Sequence, residues 1–241
     1  MKSAFAKSRK VLFYKENYGK IRKNPEVDSP MRKSFIAVMT VTVLLLTLTL
    51  PALAGEHPFR DVPSGIWYEE AVEYVYRQGL MSGTGADRFS PLGTMTRGMA
   101  VTVLYRLSGA PAPEGECPFT DVSESDYYYD AVCWAYGQNI TNGTSATAFS
   151  PGNFVTREQL VTFLYRCAEY LSVSTSYKLS VLSAYSDAET VSTYALEPFS
   201  WAVTHGIIAG TDEVHLSPRT SANRAQCAAI LARFHRWVFG D

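Results

Sequence analysis

The sequence predicts an all-α fold in which three helix-loop-helix repeats surround a central three-helix bundle with pseudo-threefold symmetry. Two observations predict it. The same short motifs recur three times within residues 55–241, and self-similarity at a nearly fixed spacing is the signature of a repeat architecture. Each copy also carries apolar residues at positions i, i+3, i+4 and i+7, which form one face of a helix. Three equivalent apolar faces are most simply buried against one another around a shared axis.

Residues 1–54 have the features of an export signal with an extended basic N-terminus. Met-Arg-Lys at 31–33 is a positive n-region, residues 35–50 are an uncharged apolar run, and Ala-Leu-Ala at 52–54 is a small-residue cleavage site. The run is shorter than the roughly 20 residues that span a bilayer. We therefore predict cleavage directly after the Ala-Leu-Ala site and only transient contact with the membrane, with an uncleaved anchor as the alternative. Translation from residue 31 would give a signal peptide of ordinary length.

The remainder of the chain is acidic. Residues 1–54 hold ten of the 22 Lys and Arg residues but three of the 23 Asp and Glu residues, so residues 55–241 carry a net charge of about −8. Lys178 is the one lysine in that part. Nucleic-acid binding calls for a basic face, so the composition excludes nucleic acid as a partner.

Three arginines define the repeats, which are predicted at 55–110, 111–171 and 185–241 with a Ser/Thr-rich linker at 172–184. The reference arginines are Arg97, Arg157 and Arg224. A proline lies six residues before each of them and a large apolar residue eight before. A glycine lies fourteen residues before each, at Gly83, Gly143 and Gly210. This agreement at several positions fixes the alignment of the three copies.

The first helix of each repeat is predicted near Tyr68–Gln78, at the equivalent place in repeat two, and near Leu196–Thr204. Each is expected to end at a residue that tolerates the left-handed conformation of a C-cap, namely Gly79, Asn139 or Gly206. Upstream of these helices, Asp61, Asp121 and Asp187 are expected to cap local turns rather than to contact a ligand.

The second helix of each repeat has a good capping residue in front of it, at Thr96, Thr156 and Asn223. Gln159 and Gln226 follow three residues after the second and third of these, which predicts two capping boxes.

Four cysteines lie in the repeats. Cys167 and Cys227 occupy positions that are Leu or Phe in the other copies, so we expect them to be small buried hydrophobic residues. A disulfide between Cys117 and Cys133 stays open as an alternative, because an exported protein can form one.

The motif order in each copy resembles the S-layer homology (SLH) repeat, and the resemblance covers nearly all of 56–240. It consists of Asp-Val, an aromatic pair, Ala-Val, Gly-x-x-x-Gly, Phe-Ser-Pro and Thr-Arg. Repeat two, with Phe149-Ser150-Pro151 and Thr156-Arg157-Glu158-Gln159, matches closely. Repeats one and three depart from it at Gly98, Met99 and Asn223, although the arginine is present in all three.

The resemblance implies a three-pronged spindle that binds secondary cell-wall polysaccharide, often pyruvylated, in grooves between repeats. It thereby implies a secreted bacterial protein held non-covalently at the cell wall or cell surface. The candidate glycan-binding residues are Arg97, Arg157, Arg224, Thr96, Thr156, Asn223, Trp67, Tyr127, Tyr194, Gly83, Gly143 and Gly210.

The residues themselves support the arginines as an anion site. A helix N-terminus offers free N–H groups and partial positive charge, and an adjacent guanidinium grips a carboxylate with two parallel hydrogen bonds. The alternative is that each arginine pairs with an acidic residue of a neighbouring repeat. Trp67, Tyr127 and Tyr194 either stack on sugars or pack between helices.

No catalytic constellation is visible, and the repeats use nearly the whole of 55–241, so we predict a module that is not an enzyme and needs no cofactor. The four histidines lack metal-ligand spacing, so no metal site is predicted. The partner is expected to be an anionic wall polysaccharide, with a cargo or envelope protein as a further partner. The alternative function is an envelope structural or assembly protein that uses the same fold to bind another protein.

Overall fold

The computed structural model describes residues 57–113 and 115–240, and within them the regular structure is helical, with isolated β-bridges but no strands. The all-α prediction is confirmed. The predicted export signal lies outside the described residues. The α-helices are α1 Glu69–Arg77, α2 Arg97–Leu107, α3 Tyr129–Gly137, α4 Arg157–Tyr170, α5 Leu196–Thr204 and α6 Arg224–Phe239. Short 3₁₀ turns lie between α4 and α5 at Leu179–Ala184, Ala188–Thr190 and Thr193–Ala195.

The first helices α1, α3 and α5 end as predicted. The second residue after each of them has a positive φ, with values of 68° at Gly79, 58° at Asn139 and 66° at Gly206. Glycine and asparagine tolerate this conformation better than other residues, so the sequence determines where each first helix stops.

The second helices α2, α4 and α6 begin at the predicted caps. The side chains of Thr96, Thr156 and Asn223 each accept a hydrogen bond from the backbone N–H three residues later. Gln159 and Gln226 complete capping boxes in the second and third repeats. Both predicted boxes are therefore confirmed.

Each second helix packs against the first helix of the following repeat. Helix α2 packs on α3, α4 packs on α5, and α6 returns to pack on α1, while α2 also contacts α4. The apolar faces of α2, α4 and α6 are buried. The third repeat is therefore joined to the first as well as to the second. The pseudo-threefold symmetry around a central bundle stays a prediction.

Three backbone hydrogen bonds form a closed ring just before the second helices. The Met95 N–H donates to the carbonyl oxygen of Ala222 (3.1 Å), Ala222 donates to Val155 (3.0 Å), and Val155 donates back to Met95 (2.9 Å). The ring contains one residue from each repeat, and all three side chains are buried. It satisfies polar backbone groups that burial would otherwise leave unpaired.

The aspartates cap turns, as expected, but these turns lie 28–30 residues further along the same repeat and are not local to the aspartates. The two carboxylate oxygens of Asp121 accept the N–H groups of Phe149 (2.8 Å) and Ser150 (2.7 Å). Ser150 has a φ of 57°, a left-handed backbone conformation that most residues avoid. The carboxylate therefore stabilises a turn with an unfavourable backbone conformation. Asp61 and Asp187 make the same pair of bonds in their own repeats.

Cys167 and Cys227 are fully buried, which confirms the expectation for both. Burial raises the pKa of each thiol to about 12. Cys117 and Cys133 are free thiols in the structure. No helix within the two described ranges is both long and apolar enough to cross a membrane.

Candidate functional site: grooves between the repeats

The three reference arginines are buried at the first position of each second helix. Arg97 is 4%, Arg157 3% and Arg224 7% exposed. The Nε atom of each donates to a backbone carbonyl in the next repeat, at 2.8–2.9 Å. The accepting oxygens belong to Phe149, Leu216 and Phe89 respectively. Each arginine thus connects two repeats.

The Nη2 atoms extend this connection in two of the three repeats. Arg157 donates to the carbonyl of Ala209 and Arg224 to that of Ser82, both at 2.7 Å. The buried Nη2 of Arg97 has no hydrogen-bond partner among the described residues. The acceptors are main-chain carbonyls, whereas the sequence suggested either a ligand carboxylate or a side-chain carboxylate.

Burial lowers the pKa of all three guanidinium groups, and an aspartate of the adjoining repeat opposes this shift in each case. The aspartates are Asp121 for Arg97, Asp187 for Arg157 and Asp61 for Arg224. An arginine in a protein keeps its proton. Each site is therefore a buried cation stabilised by carbonyl oxygens and by a more distant carboxylate.

The N–H groups at the start of the second helices are already occupied. In α2, the Arg97 N–H donates to the Asn153 carbonyl (2.8 Å) and the Gly98 N–H to the Pro151 carbonyl (3.0 Å). The third N–H binds the Thr96 cap. Equivalent bonds begin α4 and α6. The sequence argument for an anion at the helix N-terminus assumed free N–H groups, and the neighbouring repeat uses them instead.

A cavity of about 360 Å³ lies where all three repeats meet. Trp67 of repeat one, Arg157 of repeat two, and Gly210, Gln226 and Arg233 of repeat three line it. Its volume lies within the range of small-molecule sites, which are concave and present a few convergent polar groups. We call it the Trp67 groove.

The three candidate aromatics are exposed rather than packed between helices. Trp67 is 64%, Tyr127 65% and Tyr194 50% exposed. Trp67 and Tyr127 each contact the next residue in an edge-to-face arrangement, which fixes the ring while leaving most of its surface open.

Arg233 is a groove residue that the sequence reasoning missed. It lies nine residues after Arg224, and the equivalent positions hold Arg106 and Arg166. Arg233 and Arg106 are exposed, while Arg166 is half-buried and donates to the Ile140 carbonyl at 3.3 Å. Recurrence of arginine at one position in all three copies was the signal that could have found it.

The region around Tyr127 repeats the chemistry of the Trp67 groove. The Tyr127 side chain lies near Thr96 of the preceding repeat. Partial burial raises the pKa of Tyr127, and the nearby positive charges of Arg106 and Arg224 oppose that rise. An exposed aromatic ring, an exposed arginine and a buried arginine therefore lie together again.

The region around Tyr194 differs because a carboxylate occupies it. The Tyr194 hydroxyl donates to Glu158 at 3.0 Å, and the same carboxylate accepts hydrogen bonds from the N–H and hydroxyl of Ser192. Glu158 is buried. Burial and the charge of Glu158 raise the pKa of Tyr194 to about 12. This region therefore differs from the other two in two ways. It holds a negatively charged carboxylate, and the hydroxyl of its aromatic residue is hydrogen-bonded to that carboxylate.

The candidate glycines have a packing role. A Cβ atom on Gly83 would come within 2.6 Å of the Phe59 ring, and one on Gly143 would come within 2.5 Å of the Phe119 ring. A Cβ on Gly210 would clash with the Asp212 carbonyl oxygen. Glycine is thus required for these loops to close, and Gly210 also forms part of the groove wall.

No group of three or more potential metal-ligating side chains is present within residues 57–113 and 115–240.

Comparison with known proteins identifies the repeat. The profile of the S-layer homology domain matches residues 58–100, 118–161 and 184–228. The chain belongs to the S-layer homology domain family. The three SLH matches fall on the three repeats aligned through Arg97, Arg157 and Arg224, and each match includes its arginine.

Several proteins share the SLH region with this chain. It is 29% identical over 205 residues to the surface-layer 125 kDa protein of Lysinibacillus sphaericus. It is 26% identical over 208 residues to an endoglucanase of Bacillus sp. (strain KSM-635), and 22% identical over 201 residues to the S-layer protein sap of Bacillus anthracis. These matches cover 84%, 83% and 83% of this chain.

The matched region is a small part of each relative, at 17%, 22% and 24% of their lengths in the same order. The endoglucanase is a much larger protein that resembles this chain only over the SLH region. The SLH region is a non-catalytic anchoring module, and its family and its S-layer relatives locate the chain at the bacterial cell surface.

Proposed function

We propose that this SLH triplet anchors the protein by binding an anionic secondary cell-wall polysaccharide, one bearing pyruvyl carboxylates, in grooves between the repeats. A single observation carries the proposal. In the Trp67 groove, an exposed tryptophan and an exposed arginine from different repeats line one cavity together with the buried Arg157.

Each of these side chains suits a different part of an acidic sugar. The open face of Trp67 provides an apolar surface on which a sugar ring can stack. Arg233 is exposed, so its guanidinium is free to form a bidentate pair with a carboxylate. Arg157 contributes positive charge to the lining of the groove, and its Nε and Nη2 atoms donate hydrogen bonds to backbone carbonyls. The cation that grips the ligand is thus Arg233, while Arg157 holds the groove in shape.

The three regions should differ in affinity. The Tyr127 region has the same combination of one aromatic and two arginines as the Trp67 groove. The Tyr194 region contains the Glu158 carboxylate, which repels an anionic ligand and already binds the aromatic hydroxyl. We propose that the Trp67 and Tyr127 regions provide most of the affinity.

The proposal is tested by binding to purified wall polysaccharide, with bare peptidoglycan as the comparison. A charge-assisted hydrogen bond contributes roughly 1.5–3 kcal/mol, so Arg233→Ala should weaken the Trp67 groove by about tenfold to a hundredfold. Trp67→Ala should weaken it as well. Arg60→Ala is the matched control, since it removes another exposed arginine, which pairs with Asp87 and does not line the groove.

Thermal melts accompany the binding measurements, because Arg233 and Trp67 are exposed and their loss should leave stability unchanged. Chemical removal of the pyruvyl groups should reduce wild-type binding more than Arg233→Ala does, because it removes the carboxylates that both the Trp67 and the Tyr127 regions bind. Undiminished binding by a folded variant lacking both Trp67 and Arg233 contradicts the groove assignment. Binding that requires an envelope protein and ignores the polysaccharide supports the assembly function instead.

A further inference from the structure

A tight turn lies directly in front of Trp67. The Ile66 N–H donates to the Pro63 carbonyl oxygen at 3.4 Å, and Gly65, at the third position of the turn, has a φ of 80°. A positive φ at this position is typical of a type II turn, which favours glycine there. Because Trp67 comes immediately after the turn, the shape of the turn sets the direction in which the tryptophan leaves the backbone.

Glu69, the first residue of α1, closes this turn. One of its carboxylate oxygens accepts the Gly65 N–H at 2.5 Å, and the other accepts the Ser64 hydroxyl at 3.1 Å. The Glu69 N–H, which has no partner within its own helix, donates to the Ile66 carbonyl at 3.0 Å. These three hydrogen bonds connect the start of α1 to the loop on the other side of Trp67.

The Trp67 ring has one contact with the core. It meets the Tyr68 ring edge-to-face, with 5.2 Å between the ring centroids, and Tyr68 is buried. The rest of the Trp67 side chain is exposed. The orientation of the ring therefore depends on Tyr68 and on the loop that Glu69 closes.

We propose that Glu69 is a positioning residue for the Trp67 groove, because its carboxylate fixes the loop that presents the Trp67 ring to the sugar. This role rests on the proposed function, since it concerns the same groove. Glu69 is not one of the residues that line the cavity, so it acts through Trp67. A ring that is already held in its binding orientation loses less freedom when the ligand binds.

Repeat two has a comparable carboxylate beside its aromatic residue. Asp126 immediately precedes Tyr127, and its carboxylate accepts the Ser123 N–H at 2.8 Å while its own N–H donates to the Ser123 carbonyl at 2.9 Å. At Tyr194 of repeat three, by contrast, the carboxylate is Glu158 of repeat two, and it binds the aromatic hydroxyl itself. A carboxylate of the same repeat thus closes the loop in the two regions to which we assign most of the affinity.

Two possible roles of Glu69 have opposite effects on affinity. A carboxylate that only repels an anionic ligand weakens binding, so its removal would strengthen binding. A carboxylate that positions Trp67 has the reverse effect, so Glu69→Ala should weaken binding to purified wall polysaccharide by about three- to tenfold, as expected for one side chain that must be ordered on binding. Glu73→Ala is the matched control, since Glu73 lies on the same helix and pairs with Arg77, and it should leave affinity unchanged.

A double-mutant cycle tests whether Glu69 acts through Trp67. In a Trp67→Ala background, Glu69→Ala should no longer change the affinity. An equal loss in both backgrounds, or tighter binding by Glu69→Ala, overturns the positioning role. Glu69→Gln keeps the size of the side chain and one acceptor oxygen, so it replaces Glu69→Ala in the cycle if thermal melts show that the alanine variant does not fold.

A measurement without ligand separates this role from the proposed function. The fluorescence of Trp67 is obtained as the difference between wild type and Trp67→Ala, and its time-resolved anisotropy should decay faster in folded Glu69→Ala than in wild type. Unchanged anisotropy overturns the positioning role even if the groove binds polysaccharide. If wild type binds no polysaccharide but the anisotropy decays faster in the variant, the proposed function fails while Glu69 still positions Trp67.

Discussion

The Nε atom of Arg224 donates a 2.8 Å hydrogen bond to the carbonyl oxygen of Phe89, which lies 135 residues earlier in the chain. The guanidinium carbon lies 4.5 Å from the centroid of the Phe89 ring. One buried side chain therefore connects the third repeat to the first through a hydrogen bond and a cation–π contact. Arg97 and Arg157 make the corresponding hydrogen bonds at the two other junctions.

Arg224→Ala should destabilise the fold by about 2–4 kcal/mol. The substitution leaves the carbonyls of Phe89 and Ser82 without their donor in a buried place and opens a cavity where the side chain was. Urea unfolding followed by circular dichroism measures the change. Arg106→Ala is the control, because Arg106 is an exposed arginine on a second helix and its removal should cost less than about 0.5 kcal/mol. If both variants unfold at the same urea concentration, Arg224 does not stabilise the contact between the repeats.

An isolated first repeat, residues 57–110, should be largely unfolded. Its helix α1 packs on α6, and the first N–H groups of α2 bind Asn153 and Pro151 of repeat two. A fragment without those partners exposes its apolar face and loses its polar contacts, and single units of repeat proteins rarely fold alone. Circular dichroism of the fragment checks this. A cooperative thermal transition in the fragment would contradict the dependence of one repeat on the next.

The stability of the protein should fall as the pH drops from about 6.5 toward about 4. His235 is buried on α6, and its Nδ1 lies 2.9 Å from the Tyr74 hydroxyl of α1. Burial, with a smaller effect of Arg236, lowers the pKa of His235 from 6.5 to about 4. Between these values the unfolded chain binds a proton that the folded chain does not, so acid favours unfolding. Below about pH 4, His235 is protonated in both the folded and the unfolded chain, so its contribution to the free energy of unfolding stops changing.

His235→Gln tests the assignment, since glutamine can still hydrogen-bond Tyr74 but does not titrate. The free energy of unfolding, measured by urea titration at pH 7 and pH 5, should drop less in this variant than in wild type. His215→Gln is the control, because His215 is partly exposed and paired with Asp212 in a loop. If the His235 variant and wild type lose stability in parallel, another group is responsible for the acid sensitivity.

Residue types and their positions in the chain were enough to predict the local structure of this protein. A threonine or asparagine cap binds the backbone N–H three residues later, a glycine or asparagine tolerates the left-handed conformation, and an aspartate caps a turn within its own repeat. These effects depend on residue type and on position within one repeat, and the structure confirms them at Thr96, Asn139 and Asp121. The triple recurrence of the motifs likewise sufficed to predict the all-α repeat fold.

The contacts of the recurring arginines depend on how the repeats pack and could not be predicted from residue types. Seen in the sequence, Arg157 follows a helix cap and suits an anion, but the fold buries it against the Leu216 carbonyl of the next repeat. The same packing left Arg233 exposed beside Trp67, although the two residues belong to different repeats. A helix N-terminus and a guanidinium bind carbonyl oxygens as well as carboxylates, so residue chemistry alone does not choose between them. The choice depends on which loop is brought close, and that follows from the packing of each second helix on the first helix of the following repeat.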